Sequence, residues 1–276
     1  MRKLGWLPDP HDPRDLKLKV SRIRCLPNSI DLRPKCSTIE NQEDIGSCTA
    51  QSCVAAMEYL DRVQDDKWTD LSRLFVYYNS RDDKTGDTGA YIRDVIKTLS
   101  ALGACDETLH PYIPKNYAVK PSSNAYNDAL KRRITEYRRV DSLRGIRQSL
   151  ADGYPVIFGF MVPTGFESSV GSDGIMPLPA PDEGTVGGHC CIIVGYDDKK
   201  KLLTIRNSWG KGWGDGGYFY MPYSFISDDI TCDMWTITRT PHPSGSFDFG
   251  GEDVKWYIPI TGIWDVIKKL LGKGGK

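Results

Sequence analysis

The hydrophobic period of this chain changes once, near residue 154, and that change restricts its fold more than any other feature. Before it, apolar residues recur at helical spacing. Ala50, Cys53, Val54, Met57 and Leu60 make one stripe, Leu71, Leu74, Phe75 and Tyr78 a second, and Ile92, Val95, Ile96 and Leu99 a third. After it come short β-branched and aromatic runs, "PVIFGFM", "HCCIIVGYD", "LLTIRNSW", "GYFYMP" and "DMWTIT", separated by Gly, Asp and Lys turns. Helices first and strands later predict an α+β protein with two lobes.

The ends of the chain read differently. Residues 1–25 are polar and proline-rich and are expected to form an extended arm. The body runs from 26 to 240. Residues 241–276 are a linker, read in "RTPHPSGSFDFGGED" at 239–253, and a tail. Ile260, Ile263, Trp264, Ile267, Leu270 and Leu271 fall on one face of an expected helix over 260–271. That face suits docking onto the body, or contact with a membrane surface helped by Lys268, Lys269 and Lys273.

Lys plus Arg and Asp plus Glu both number 36, so the charge balance gives no footprint for nucleic acid. The N-terminus lacks the apolar core of a signal peptide, and no stretch reaches the roughly 20 apolar residues of a spanning helix. An intracellular location is the resulting expectation. Of the eight cysteines no two form a CxxC pair, so no metal site and no cofactor is expected. Most are expected as buried thiols, with room for one or two bridges.

Cys48 stands apart. It follows Gly46 and Ser47 and opens the first helical stripe, which places its sulfur at the positive end of a helix, where a thiolate is stabilised. Cys53, on the stripe itself, suits a core thiol better. A thiolate needs a base, and the chain has four histidines. His11 and His242 lie in proline-rich arms, and His110 lies in a turn-like stretch. His189 opens a strand in "VGGHCCIIVGYD". Asn207, 18 residues on in "RNSWGKGWGDGGY", can orient that imidazole, with Trp209 shielding the bond from water. Gln42 can donate to a developing oxyanion together with the Cys48 N–H.

Taken together, "NQEDIGSCTA", "GGHCCIIVGYD" and "RNSWGKGWGDGGYFYMP" resemble the papain-like cysteine peptidases, the C1 family that includes the cathepsins. In that family His and Asn lie roughly 130 to 150 residues beyond the cysteine. Here His189 and Asn207 lie 141 and 159 residues beyond it. "LPNSIDLR" resembles the family's mature N-terminus, and the likeness extends over about 26–240. It implies a helical left lobe, a β-barrel-like right lobe and an active cleft between them. It implies Cys48 as nucleophile, His189 as base and then acid, Asn207 as orienter and Gln42 as oxyanion donor.

The likeness also implies that Gly89 and Ala90 form one wall of the cleft. Gly159 and Cys190 would lie at the pocket for the side chain two positions before the cut, with Trp209 also facing substrate. Small residues there leave room for a bulky apolar or aromatic group. Three positions depart from the pattern. Ile45 replaces a cysteine that braces a lobe in many members, Thr49 an aromatic residue, and Gly188 an Asp found in some.

The expected activity is endopeptidase hydrolysis of protein or peptide substrates through an acyl-enzyme. Another thiol acyl transfer, by an amidase or transferase, and an inactive binding protein of the same fold stand as alternatives. The arm has a further expectation. Trp6 and Leu7 offer an apolar anchor, and Pro8, Pro10 and Pro13 stiffen the backbone. It is expected either to cover the cleft as a built-in inhibitor or to brace the outer surface.

Overall fold

One continuously buried strand, whose side chains face alternate sides, lies between two cores of the described residues. That strand belongs to a computed structural model which describes residues 2–66, 69–171, 173–180, 182–226 and 231–239. The expected tail helix over 260–271 and nearly all of the linker lie outside the described residues. In chain order the elements used below are β1 (Trp6–Leu7), β2 (Ser29–Asp31), α1 (Cys48–Asp65), α2 (Arg73–Ser80), β3 (Ala90–Tyr91) and α3 (Ile92–Ala101). Then follow α4 (Ser123–Ala129), β4 (Glu136–Val140), α5 (Leu143–Ala151), β5 (Val156–Pro163), α6 (Phe166–Ser169), β6 (Thr185–Asp197), β7 (Leu202–Arg206), β8 (Tyr218–Pro222) and β9 (Thr231–Arg239).

The strands of the second half pair antiparallel in the order β4-β9-β5-β6-β7-β8, and β2 pairs with β6. Among the described residues the ladder is an open path, with no pairing between β4 and β8 to close a barrel. On β6, Cys190, Ile192 and Val194 face one core, and Cys191 and Ile193 the other. Side chains on a strand alternate between faces, so this one run lines both lobes. The first core holds α1, α2 and α3, through Leu60, Leu74, Phe75, Val95, Ile96 and Leu99. The second holds an aromatic cluster in which Phe166 touches Phe160, Trp209, Trp213 and Phe219.

Helix α1 is buried all round from Cys48 to Leu60, because it packs on α2 and α3 on one side and on β6 on the other. The Ser52 hydroxyl donates to the Cys190 carbonyl at 3.0 Å and fixes helix to strand. Glu58, fully buried on the same helix, is paired with Arg73 at 2.8 Å and accepts from Ser37 Oγ and the Leu71 N–H. That network satisfies a charge which would otherwise be costly to bury. The cysteines whose side chains are described are all free thiols: Cys25 is exposed, Cys36 half-buried, and Cys48, Cys53, Cys105, Cys190 and Cys191 buried. No bridge joins any two of these seven.

The arm divides into two parts. Residues 16–18 follow β4, where the Leu18 N–H donates to the Arg139 carbonyl and the Arg139 N–H to the Leu16 carbonyl, both at 2.8 Å. Farther on, the Gln148 side chain of α5 accepts from the Ser21 N–H and donates to the Lys19 carbonyl. The first residues go elsewhere. β1 pairs with β3 in parallel, Trp6 opposite Ala90 and Leu7 opposite Tyr91. No helix of the described residues is long and apolar enough to cross a membrane.

Candidate active site

Cys48 is the first residue of α1, as its position after Gly46 and Ser47 predicts. Ser47 does not cap the helix with its own side chain. Its hydroxyl is instead hydrogen-bonded to the Tyr112 hydroxyl at 2.7 Å, and Tyr112 donates onward to the Gln42 carbonyl at 2.9 Å. The turn before the nucleophile is thereby fastened to the segment that carries Gln42. Beside it Ile45 is buried in the first core.

His189 is fully buried near the start of β6. Its Nε2 lies 2.8 Å from Asn207 Oδ1. An amide oxygen only accepts, so Nε2 carries the proton and Nδ1 is the basic nitrogen. Nδ1 is buried and has no hydrogen-bond partner. The Trp209 ring stacks on the imidazole at 4.8 Å, which keeps water from the His–Asn bond. Gln42, also fully buried, donates through Nε2 to the Ile45 carbonyl and the Lys3 carbonyl, each at 3.1 Å. Its Oε1 accepts from the Ser208 hydroxyl at 2.7 Å. That bond fixes the amide with its nitrogen turned into the cleft.

The arm fills the rest of the site. Arg2 donates to the Trp209 carbonyl at 3.0 Å, with its guanidinium over the Trp209 ring. Gly5 lies against Gly46 and Gly89, so closely that a Cβ on Gly5 would meet the Gly46 carbonyl oxygen at 1.9 Å. The Ala90 N–H donates to the Gly5 carbonyl at 2.9 Å. Trp6, 3% exposed, lies on Gly159 and Gly188. A Cβ at Gly159 would come within 2.0 Å of its ring, and one at Gly188 within 2.5 Å of its carbonyl oxygen. Any side chain at 188 would collide with the docked arm. Cys190 stands opposite Gly159 in the ladder and shares a buried apolar cluster with Trp6.

This covering reverses the electrostatics expected of a reactive thiol. Burial pushes the Cys48 thiol up to about 11, against hydrogen bonds from the backbone of Cys190, Gly5 and Thr49. Burial pushes His189 down to about 4, against its bond to Asn207, and the Arg2 charge adds to the fall. With the arm in place both groups are neutral at pH 7. The expectation of a low thiol pKa does not hold in this covered state, because burial disfavours the charged form of each group.

The structure brings Cys48, His189, Asn207, Gln42 and Trp209 into one site, with Gly89, Ala90 and Gly159 against the arm. Sequence reading missed Ser208 and Tyr112, which orient Gln42 and the nucleophile turn, and Asp87, which holds the Gly46 N–H at 3.0 Å. Ser208 alone had a signal, its place beside Asn207.

Comparison with known proteins covers most of the described chain. A family described as papain family cysteine protease matches residues 26–236. An uncharacterized peptidase C1-like protein of Acanthamoeba polyphaga mimivirus is 35% identical over 278 residues, 88% of each chain. Chymopapain of Carica papaya is 26% identical over 78% of this chain and 60% of its own. The structure of xylellain, a cysteine protease from Xylella fastidiosa, superposes with a TM-score of 0.80 at 37% identity. It covers 85% of this chain and 95% of that one.

Proposed function

The chain belongs to the papain family of cysteine proteases, and on that premise we propose that Cys48, His189, Asn207 and Gln42 carry out its peptide hydrolysis and that residues 2–7 hold it shut. The enzyme is a cysteine peptidase acting on protein substrates. When the cleft opens, Cys48 gives its proton to His189 Nδ1, and the thiolate attacks the peptide carbonyl carbon. The carbonyl oxygen gains charge beside Gln42 Nε2 and the Cys48 N–H at the start of α1. His189 then protonates the leaving amine, which departs as the acyl-enzyme forms. Water, deprotonated by the same nitrogen, releases the acid and restores the thiol. Asn207 keeps the imidazole facing the sulfur throughout, and Trp209 keeps water off that bond.

The bond between the Gln42 amide and the Lys3 carbonyl carries the inhibitory reading. A peptide carbonyl of the chain itself occupies the oxygen position that a substrate needs. The neighbouring pairing of β1 with β3 is parallel, and Trp6 fills the Gly159 pocket. The same pocket supports a preference for an aromatic or large apolar side chain two positions before the cut. Trp6→Ala removes the anchor and is expected to raise both peptide turnover and the rate at which Cys48 is alkylated. Full-length protein that is alkylated at Cys48 no faster after this substitution would reject inhibition by the arm. Unchanged turnover in Cys48→Ala would reject the nucleophile.

A further inference from the structure

The Asp87 carboxylate stands at the edge of the cleft without a part in the chemistry above. The Gly46 N–H donates to it, at 3.0 Å to Oδ1 and 3.2 Å to Oδ2. The Tyr77 hydroxyl donates to Oδ1 and accepts the Gly89 N–H at 3.1 Å. Burial, and then the bond to Asp87, hold the Tyr77 hydroxyl well above its ordinary pKa, so it stays a donor. Asp87 thus ties together the two backbone segments that flank Gly5 of the arm, the turn at Gly46 and the wall at Gly89.

Its side chain is 8% exposed, and its remaining partner is a cation. Lys3 Nζ lies 2.7 Å from Oδ2. Lys3 is also the residue whose carbonyl rests on the Gln42 amide. In a reacting peptide that oxygen position belongs to the carbonyl under attack. The residue that supplies this carbonyl therefore has its side chain within a lysine's reach of Asp87. A Cβ built at Gly46 would stand 3.3 Å from Asp87 Oδ1, so the carboxylate borders the same space. Once the arm leaves, Oδ2 keeps only the longer bond from Gly46. A largely buried carboxylate oxygen with an unfilled acceptor position favours a charged donor over a neutral side chain.

We propose that Asp87 is a specificity-determining residue that selects Lys or Arg immediately before the cut. This rests on the peptidase reading above. Gly5 passes between Gly46 and Gly89 without a side chain, which leaves Asp87 free to hold the arm through Lys3.

The test uses the full-length chain with Trp6→Ala to loosen the arm. Two fluorogenic peptides carry Phe two positions before the cut and differ only in Lys or Gln immediately before it. The Lys peptide is expected to have a kcat/KM about 10- to 100-fold higher, the range of a charge-assisted hydrogen bond. Adding Asp87→Asn should bring the ratio of the two kcat/KM values close to unity, whatever the common change in rate from the loosened Gly46 turn. A Lys preference that survives Asp87→Asn, or no preference while Asp87 is present, would overturn the proposal. If Asp87→Asn loses both peptides, salt decides the matter in the Asp87 chain. A preference that narrows as ionic strength rises supports the ion pair, and one indifferent to salt overturns it. Turnover of neither peptide by the Asp87 chain would remove the peptidase reading and this inference with it.

Discussion

Asn207 Oδ1 accepts from three groups: His189 Nε2 and the Ser208 N–H, each at 2.8 Å, and Cys191 Sγ at 3.6 Å. The amide is therefore held by its own backbone neighbour before it orients the imidazole. Asn207→Ala should cost less than His189→Ala, because the thiol can still pass its proton to an unoriented Nδ1. Equal kcat losses on measuring both would refute that ranking. Gln42→Ala should lower kcat by about 100- to 1,000-fold, the usual cost of one oxyanion donor. A change confined to KM would reject the role. Cys48, His189 and Asn207 were legible in the sequence because each sits in a short stretch whose neighbours already constrain it. Ser208 and Asp87 act across 166 and 41 positions, on Gln42 and Gly46 respectively, and no local pattern reports such a facing.

At the scale of elements, the arm's prolines and its Trp6–Leu7 pair correctly suggested an extended, anchored segment. On the reading proposed above, covering falls to residues 2–7 and bracing to the stretch from 16 to 21. Between them lies Asp9. It accepts from the Arg93 N–H and Trp235 Nε1, its own N–H donates to Asp233, and Arg139 approaches at 3.4 Å. Asp15 pairs with Arg93 at 2.7 Å and lies 3.4 Å from Arg139. Burial, and next the Asp233 carboxylate, raise Asp9 from the ordinary 3.8 to about 6, against the pull of Trp235 and Arg93. An acid whose docked pKa is raised favours docking when protonated. Its contribution is complete below about 4 and is lost as pH rises through about 6.

The catalytic pair does not oppose this. Opening the cleft moves one proton from Cys48 to His189 and leaves the number bound unchanged. Asp9→Asn fixes the neutral form. The ratio of Cys48 alkylation rates, wild type over Asp9→Asn, cancels the chemistry of the thiol at each pH. It should approach unity only below about pH 4, be already several-fold at about pH 4.5 and level off on the order of 100 by about pH 7, as two pKa units allow. A ratio that does not vary with pH would refute the linkage.

For the whole molecule, the two cores meet at β5, β6 and β9, and the arm is attached to elements of both. Arg93 belongs to α3, while Arg139 belongs to β4 and Asp233 and Trp235 to β9. Residues 16–18 cover the outer edge of β4, which would otherwise expose unpaired N–H and C=O groups. Deleting residues 2–8 should open the cleft while leaving that edge covered. Deleting 2–25 should also lower the midpoint of thermal unfolding by roughly 5–10 °C, the equivalent of a few kcal/mol in a chain of this size. Calorimetry on the two deletions checks this, and equal midpoints would deny the brace.

The parallel course of β1 has one more consequence. A tether this short presents its own segment to the cleft at an effective concentration on the order of millimolar, whatever the dilution of the protein. Shutdown is then intramolecular, and its onset does not depend on how many molecules are present. A single break in the backbone between Asp9 and Asp15 would turn the segment into a free peptide at the concentration of the enzyme itself. Nothing would restore the local excess, so opening would run in one direction, as a commitment made once per molecule.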